Sequence, residues 1–170
     1  MFAVGELVVY GGEGVCRVER IGIPDIRGVD REYYTLAPLY RTGQVMTPVD
    51  TKVLMRPVLS RRQAEELIAE LPQLKPGEVQ NHVRAIKEYY QNIVASYDCR
   101  QLAQLIKLTE QKRQQAAKQG KKVSQLDERY LHRAEELLYG ELAVALEMPR
   151  EQVPDYLQQV SPRWEITDHE

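Results

Sequence analysis

Two hydrophobic rhythms divide the chain. Through residue 57, short β-branched and aromatic runs alternate with glycine. Runs at residues 7–10, 15–21, 32–39, 44–47 and 52–56 predict short strands, and seven of the ten glycines lie before residue 44, where they supply the turns. Strands of this length and spacing predict a small antiparallel sheet or barrel. The run 15–21 alternates imperfectly, so its register is not settled by pattern.

Beyond Pro57 the period becomes 3.6. Ser60 and Gln63 form a capping box ahead of Ala64, Leu67, Ile68 and Leu71, and Pro72 stops that helix. A second helix is predicted over 78–97, with the stripe Val79, Val83, Ile86, Tyr90, Ile93, Val94 and Tyr97. Asp98 caps a third, buried along Leu102, Leu105 and Ile106 and ended by Gly120. Ser124 caps a fourth, striped by Leu126, Tyr130, Ala134, Leu137, Leu138, Leu142 and Ala145. A short helix near 155–160 precedes a polar end, 161–170, expected to fray and to carry Trp164 with it. The fold class expected is α+β: a small antiparallel β domain at 1–57, an all-helical domain at 58–160 and a polar tail at 161–170.

Composition agrees with a folded chain: 170 residues, 43% hydrophobic and 28% charged. Two cysteines, Cys16 and Cys99, do not make a disulfide framework and read as reduced thiols. No apolar run approaches the length of a membrane span, and the first residues lack the shape of a signal peptide. A cytoplasmic protein with no membrane partner is expected.

The net charge of −2 conceals an uneven distribution. Residues 1–60, 61–125 and 126–170 carry nets of 0, +5 and −7. The basic middle is densest at Arg100, Lys107, Lys112, Arg113, Lys118, Lys121 and Lys122. On a helix Arg100, Lys107 and Lys118 fall within about 20° of one another, a face that could follow a phosphate backbone. The same residues also fit a solvated surface, or attraction to the acidic block.

No catalytic or metal constellation stands out. The three histidines are far apart, no HExxH, CxxC, GxSxG or P-loop pattern occurs, and no cofactor is implied. Cys16 reads as a small buried hydrophobe. The Gly11-Gly12-Glu13-Gly14 run reads as a hairpin turn, because a strand follows it where a phosphate loop needs a helix. Of the paired tyrosines, Tyr33 and Tyr34 point to opposite faces of a strand, and Tyr89 lies off the stripe that holds Tyr90. Tyr89 is thus either a contact residue or a cover over a neighbouring helix.

The residues Val4 to Val15, read as Val-Gly-Glu-Leu-Val-Val-Tyr-Gly-Gly-Glu-Gly-Val, resemble the opening of the CarD/CdnL family of bacterial transcription regulators. The resemblance continues through Glu32-Tyr33-Tyr34-Thr35-Leu36, Val45-Met46-Thr47-Pro48-Val49-Asp50 and Leu54-Met55-Arg56-Pro57-Val58, and through the fourth-helix residues Leu126, Glu128, Leu131, Ala134, Leu137, Leu138, Glu141, Leu142, Ala143 and Ala145. It implies a Tudor-like β domain that binds the RNA polymerase β subunit, and a helical domain that contacts promoter DNA in the minor groove and along the phosphates, stabilising the open complex. The function implied is regulatory and non-enzymatic, with the protein held at the nucleoid when bound to polymerase. Polymerase contact would use strand addition at Val45, Met46 and Thr47. Where family members commonly carry arginines this chain has Met46 and Pro24, and Arg27 and Arg41 stand nearby as substitutes. Many members also carry a Trp wedge at a position that falls at about Val83. An aliphatic residue can open a base step, yet Val83 also lies on the apolar stripe, which places it in the core. The expected DNA contacts are Val83, Arg84, Lys87, Arg100 and Lys107. Without the Trp, an alternative is a protein-only adaptor whose helical domain binds another protein.

Overall fold

The computed structural model describes residues 1–166. The chain divides into two compact units, Met1–Val58 and Leu59–Glu170.

The first unit is one five-stranded antiparallel sheet: β1 (Leu7–Tyr10), β2 (Gly14–Gly22), β3 (Tyr33–Pro38), β4 (Val45–Pro48) and β5 (Met55–Pro57). Its order is β4-β3-β2-β1-β5, so β4 and β5 are the edges. The Gly-Gly-Glu-Gly run is the β1–β2 turn as expected: Tyr10 pairs with Gly14, and Gly12 and Gly14 both hold φ +88, which glycine adopts without a Cβ clash.

Val8, Tyr10, Cys16, Val18, Tyr34 and Leu36 form the core, with Phe2, Ile21, Val45, Val49 and Met55 against it. The imperfect alternation of 15–21 has a local cause. The β2–β3 register slips between Val18, opposite Leu36, and Arg20, opposite Thr35. This bulge lets Val18 and Ile21, three residues apart, both face the core, and leaves Glu19 and Arg20 exposed in succession. Tyr34 is buried and accepts a hydrogen bond from the Phe2 backbone N–H at 3.1 Å, while Tyr33 lies on the other face under Arg31.

The second unit is helical: α1 (Arg61–Glu70), α2 (Val83–Ser96), α3 (Cys99–Lys118), α4 (Gln125–Ala145) and α5 (Val153–Val160). The α1 capping box is formed in both directions between Ser60 and Gln63. Asp98 caps α3 through the Arg100 and Gln101 N–H groups, and Ser124 caps α4 through Asp127 N–H. Each such cap is worth about 1 kcal/mol. Gly120 follows α3 at φ +68.

Two expectations are corrected. The second helix begins at Val83, not 78, because residues 77–78 are held outside it: Gly77 N–H donates to Gln104 O at 3.1 Å and Glu78 N–H to the Tyr89 hydroxyl at 3.0 Å. Val79 and Val83 therefore leave the core stripe and are 64% and 75% exposed. The second correction concerns the expected frayed end. Trp164 is 2% exposed, and Ser161 beside it is buried and bonds Ile68 O at 3.3 Å. The indole completes the helical core. The remainder of the expected tail, 167–170, lies outside the described residues.

Candidate functional site

The outer face of β4 carries the first site. Val49 N–H donates to Glu32 O at 3.1 Å, in register with the β3–β4 pairs. Hydrogen-bonded and non-hydrogen-bonded pairs alternate along an antiparallel ladder. Thr47 and Val45 therefore spend their backbone groups on β3, whereas Met46 turns its N–H and C=O away from the sheet. Pro48, the next outward position, has no N–H, and its carbonyl accepts from Thr51 N–H at 3.0 Å. The open hydrogen-bonding capacity of β4 is centred on Met46.

The side chains follow the same period. Thr47 is buried opposite Tyr34, and Val45 packs on the core opposite Leu36. Neither side chain faces outward, so of the three strand residues expected to touch a partner only Met46 presents one, 42% exposed. Met46 pairs with Thr35, and Thr35 with Arg20, giving a row across three strands. That row forms one wall of a cleft of about 400 Å³, completed by Glu19, Gly22, Pro24, Asp25, Ile26 and Gln44. Ile23 and Ile26 are both more than half exposed beside it.

Arg27 is exposed next to Ile26 but does not line the cleft. Arg41 is engaged elsewhere: its guanidinium holds Glu13 at 2.7 Å. The cation that does line the cleft, Arg20, was missed by pattern reading, because the bulge that exposes it is invisible in the alternation. Cys16 is fully buried, and burial pushes its thiol up to about 11, the setting of a small buried hydrophobe.

In the helical unit the expected basic face of α3 is dismantled. Lys107 is 1% exposed, and its ammonium donates to Leu74 O at 2.7 Å. Burial lowers its pKa, with Glu165 opposing the shift. Lys107 thus ties down the segment before α2 and is removed from the DNA-contact set. Arg100 stays exposed but pairs with Glu70. Lys112 turns inward to Asp127 at 3.2 Å and the Tyr90 hydroxyl at 3.0 Å, and that hydroxyl donates to Asp127 at 2.5 Å. Burial and the Asp127 carboxylate both raise the Tyr90 pKa. Glu141 is also internal, accepting from Leu59 N–H at 2.8 Å and the Cys99 thiol at 3.1 Å. Tyr89 covers Gly77, where a β-carbon would sit 2.6 Å from its hydroxyl. Its hydroxyl, accepting from Glu78 N–H, pins the segment before α2.

The Tyr90–Lys112–Asp127 node fixes α2, α3 and α4 at one level. From it α2 runs back to Val83, α3 runs forward to Lys118, and α4 begins two residues away. Val83, Arg84 and Lys87 therefore share an end of this unit with Lys118, Lys121 and Lys122, and all six are exposed. Arg84 pairs with Glu88 at 3.3 Å. The lysines of the α3–α4 corner are cations that the periodic reading counted but did not place.

Among the described residues no group of three or more His, Cys, Asp or Glu could hold a metal ion, and no helix is long and apolar enough to cross a membrane. The first unit is thus a small β domain edged by β4 and β5, with the outward backbone groups of Met46 on β4. Residues 2–59 match the family described as the CarD-like/TRCF RID domain. The chain therefore carries an N-terminal CarD-like/TRCF RID domain followed by an all-helical region, which is consistent with membership of the CarD/CdnL family. No curated protein gives a significant match. The RID-domain architecture is consistent with polymerase-binding transcription regulators in general.

Proposed function

We propose that this protein is a cytoplasmic, non-enzymatic transcription regulator. It binds the RNA polymerase β subunit through β4 and contacts promoter DNA through the helical unit, stabilising the open complex. The observation that carries the polymerase reading is the open β4 edge, centred on Met46, within a matched RID domain. A partner strand laid against Met46 gains backbone hydrogen bonds, and its alternate side chains reach the cleft of Arg20, Ile26 and Met46. The test is binding of the full chain to the isolated polymerase β lobe. Retention of wild-type affinity by Met46→Pro, which removes the outward donor, would overturn this edge as the contact.

The DNA surface proposed is Val83 with Arg84 and Lys87, extended by Lys118, Lys121 and Lys122. Val83, exposed at the first turn of α2, can act as an apolar wedge at a base step, and the lysines beside it can follow phosphates. One observation favours the adaptor reading: Lys107, Lys112 and Arg100 are taken up internally or by an acidic partner. Salt separates the two. A DNA-binding helical unit loses affinity for a promoter fork steeply as salt rises, and an adaptor binds no fork at any salt.

A further inference from the structure

The apolar stripe of α2 continues back through Val79, yet the helix starts at Val83. Local sequence does not place the start there. The N-cap residue, His82, makes no side-chain cap bond, and no proline lies between residues 77 and 82. The start is set by more distant partners. Three hydrogen bonds hold the approaching chain: the Lys107 ammonium on Leu74 O at 2.7 Å, Gly77 N–H on Gln104 O at 3.1 Å, and Glu78 N–H on the Tyr89 hydroxyl at 3.0 Å.

The last of these is incompatible with a longer helix. Eleven residues of continuous α-helix, the separation of Glu78 and Tyr89, span about 16 Å, beyond the reach of a tyrosine side chain. The bond forms only when the chain doubles back ahead of α2. Gly77 makes room for it. A β-carbon there would lie 2.6 Å from the Tyr89 hydroxyl, but at ordinary contact distances of 3.5 Å and 3.6 Å from Tyr89 Cζ and Leu108 Cδ2. The doubled-back chain leaves Val83 at the bare end of the helix, 75% exposed. A helix continued to residue 78 would instead set Val79 against Val83 as an i, i+4 pair.

We infer that Tyr89 is a positioning residue for DNA: seated on Gly77 and holding Glu78, it keeps Val83 clear of its own helix as a wedge for an unpaired base step. The inference rests on the DNA reading of the helical unit. It adds the device that holds the wedge ready before DNA arrives. A wedge acts where bases are unstacked, so the pin matters for a fork and little for a closed duplex, where lysines on phosphates dominate.

The experiment compares binding of the full chain to a promoter fork and to closed duplex of the same sequence. Tyr89→Phe keeps the ring and removes only the hydroxyl. It should weaken fork binding about fivefold, the worth of one hydrogen bond. Duplex binding should stay within about twofold, and the salt slope should not change, because the phosphate contacts are untouched. Glu78 is exposed, so its freed N–H finds water and the thermal melt should match wild type. The Cα chemical shifts of Val79 to His82 should move towards helical values. Val83→Ala should weaken the fork as well, and adding Tyr89→Phe to it should weaken the fork no further, since the tyrosine acts through Val83. Gly77→Ala should release the wedge by displacing the hydroxyl. In a Tyr89→Phe background the same methyl group should add no loss, because the atom it meets is gone.

Unchanged fork affinity in Tyr89→Phe overturns the inference. So do unchanged shifts at Val79 to His82, a parallel loss of fork binding, duplex binding and melting temperature, or a further loss when Tyr89→Phe is added to Val83→Ala. If wild type binds the fork in those cases, the DNA reading stands and the positioning role alone is lost. If wild type binds neither fork nor duplex at any salt, both fall.

Discussion

The β unit and the helical unit dispose of their charged residues in opposite ways. In the sheet, charges stay outside: Arg20 lines an open cleft, and Arg41 and Glu13 pair at the surface. In the helical unit, Lys107, Lys112, Asp127 and Glu141 turn inward and hold segments together. The difference is geometric. A sheet strand has two faces, and a charge on the core face has no acceptor among apolar neighbours. A helix bundle also contains chain ends, caps and loops, whose orphan carbonyls and N–H groups can partner a buried charge. Charge on a helix is therefore a weaker sign of exposure than charge on a strand.

The sharpest way to break this comparison is to empty the helical core. Trp164→Ala should destabilise the protein by about 3–5 kcal/mol, the usual loss for a buried aromatic, read by chemical denaturation with circular dichroism. A loss under about 1 kcal/mol would return Trp164 to an exposed tail.

Lys107→Glu should cost a similar amount, about 3–5 kcal/mol, since it leaves a buried charge facing a carbonyl. Arg100→Glu, an exposed substitution, should change stability by no more than about 1 kcal/mol. Equal effects of the two would erase the distinction between inward and outward cations on α3.

On the sheet side, Met46→Pro should lower affinity for the polymerase lobe at least tenfold while leaving the melting temperature near wild type. Val45→Pro should lower the melting temperature instead, because Val45 N–H serves the β3–β4 ladder. Titration of both variants against the lobe, paired with thermal melts, tests this split.

The smallest effect concerns Glu135, on the acidic face of α4. Burial raises its pKa, partly opposed by His132 and Arg113 and reinforced by Glu110 and Glu165. A carboxyl whose folded pKa is raised favours folding while protonated, and that contribution is lost as pH rises through the folded value. Glu135→Gln should therefore raise the melting temperature at pH 7 by up to about 4 °C. The gain should vanish below about pH 4, where glutamate is protonated in the unfolded chain as well. Melts of both proteins across that range check the sign.

Much of this molecule is legible in its sequence. Alternation and glycine placed the strands, and Ser60, Asp98 and Ser124 placed the helix starts, because caps and periods are local physics. The resemblance at Val4 to Val15 anticipated the RID domain. The candidate sites were less legible. Met46 lay in the expected strand, but its outward backbone depends on ladder register, and Arg20 became visible only through a bulge.

The chain by itself determined where the elements begin, which stripes are apolar and how charge is divided along its length. All of these depend on neighbours within a few residues. Only the tertiary structure decided which lysines of α3 face solvent, that Trp164 belongs to the core, and that Val83 leaves it. Those outcomes depend on distant partners: Leu74 for Lys107, Asp127 for Lys112, and the pinned turn at Gly77 for Val83. Helical periodicity assigns an angle to each residue, and only packing decides what waits at that angle.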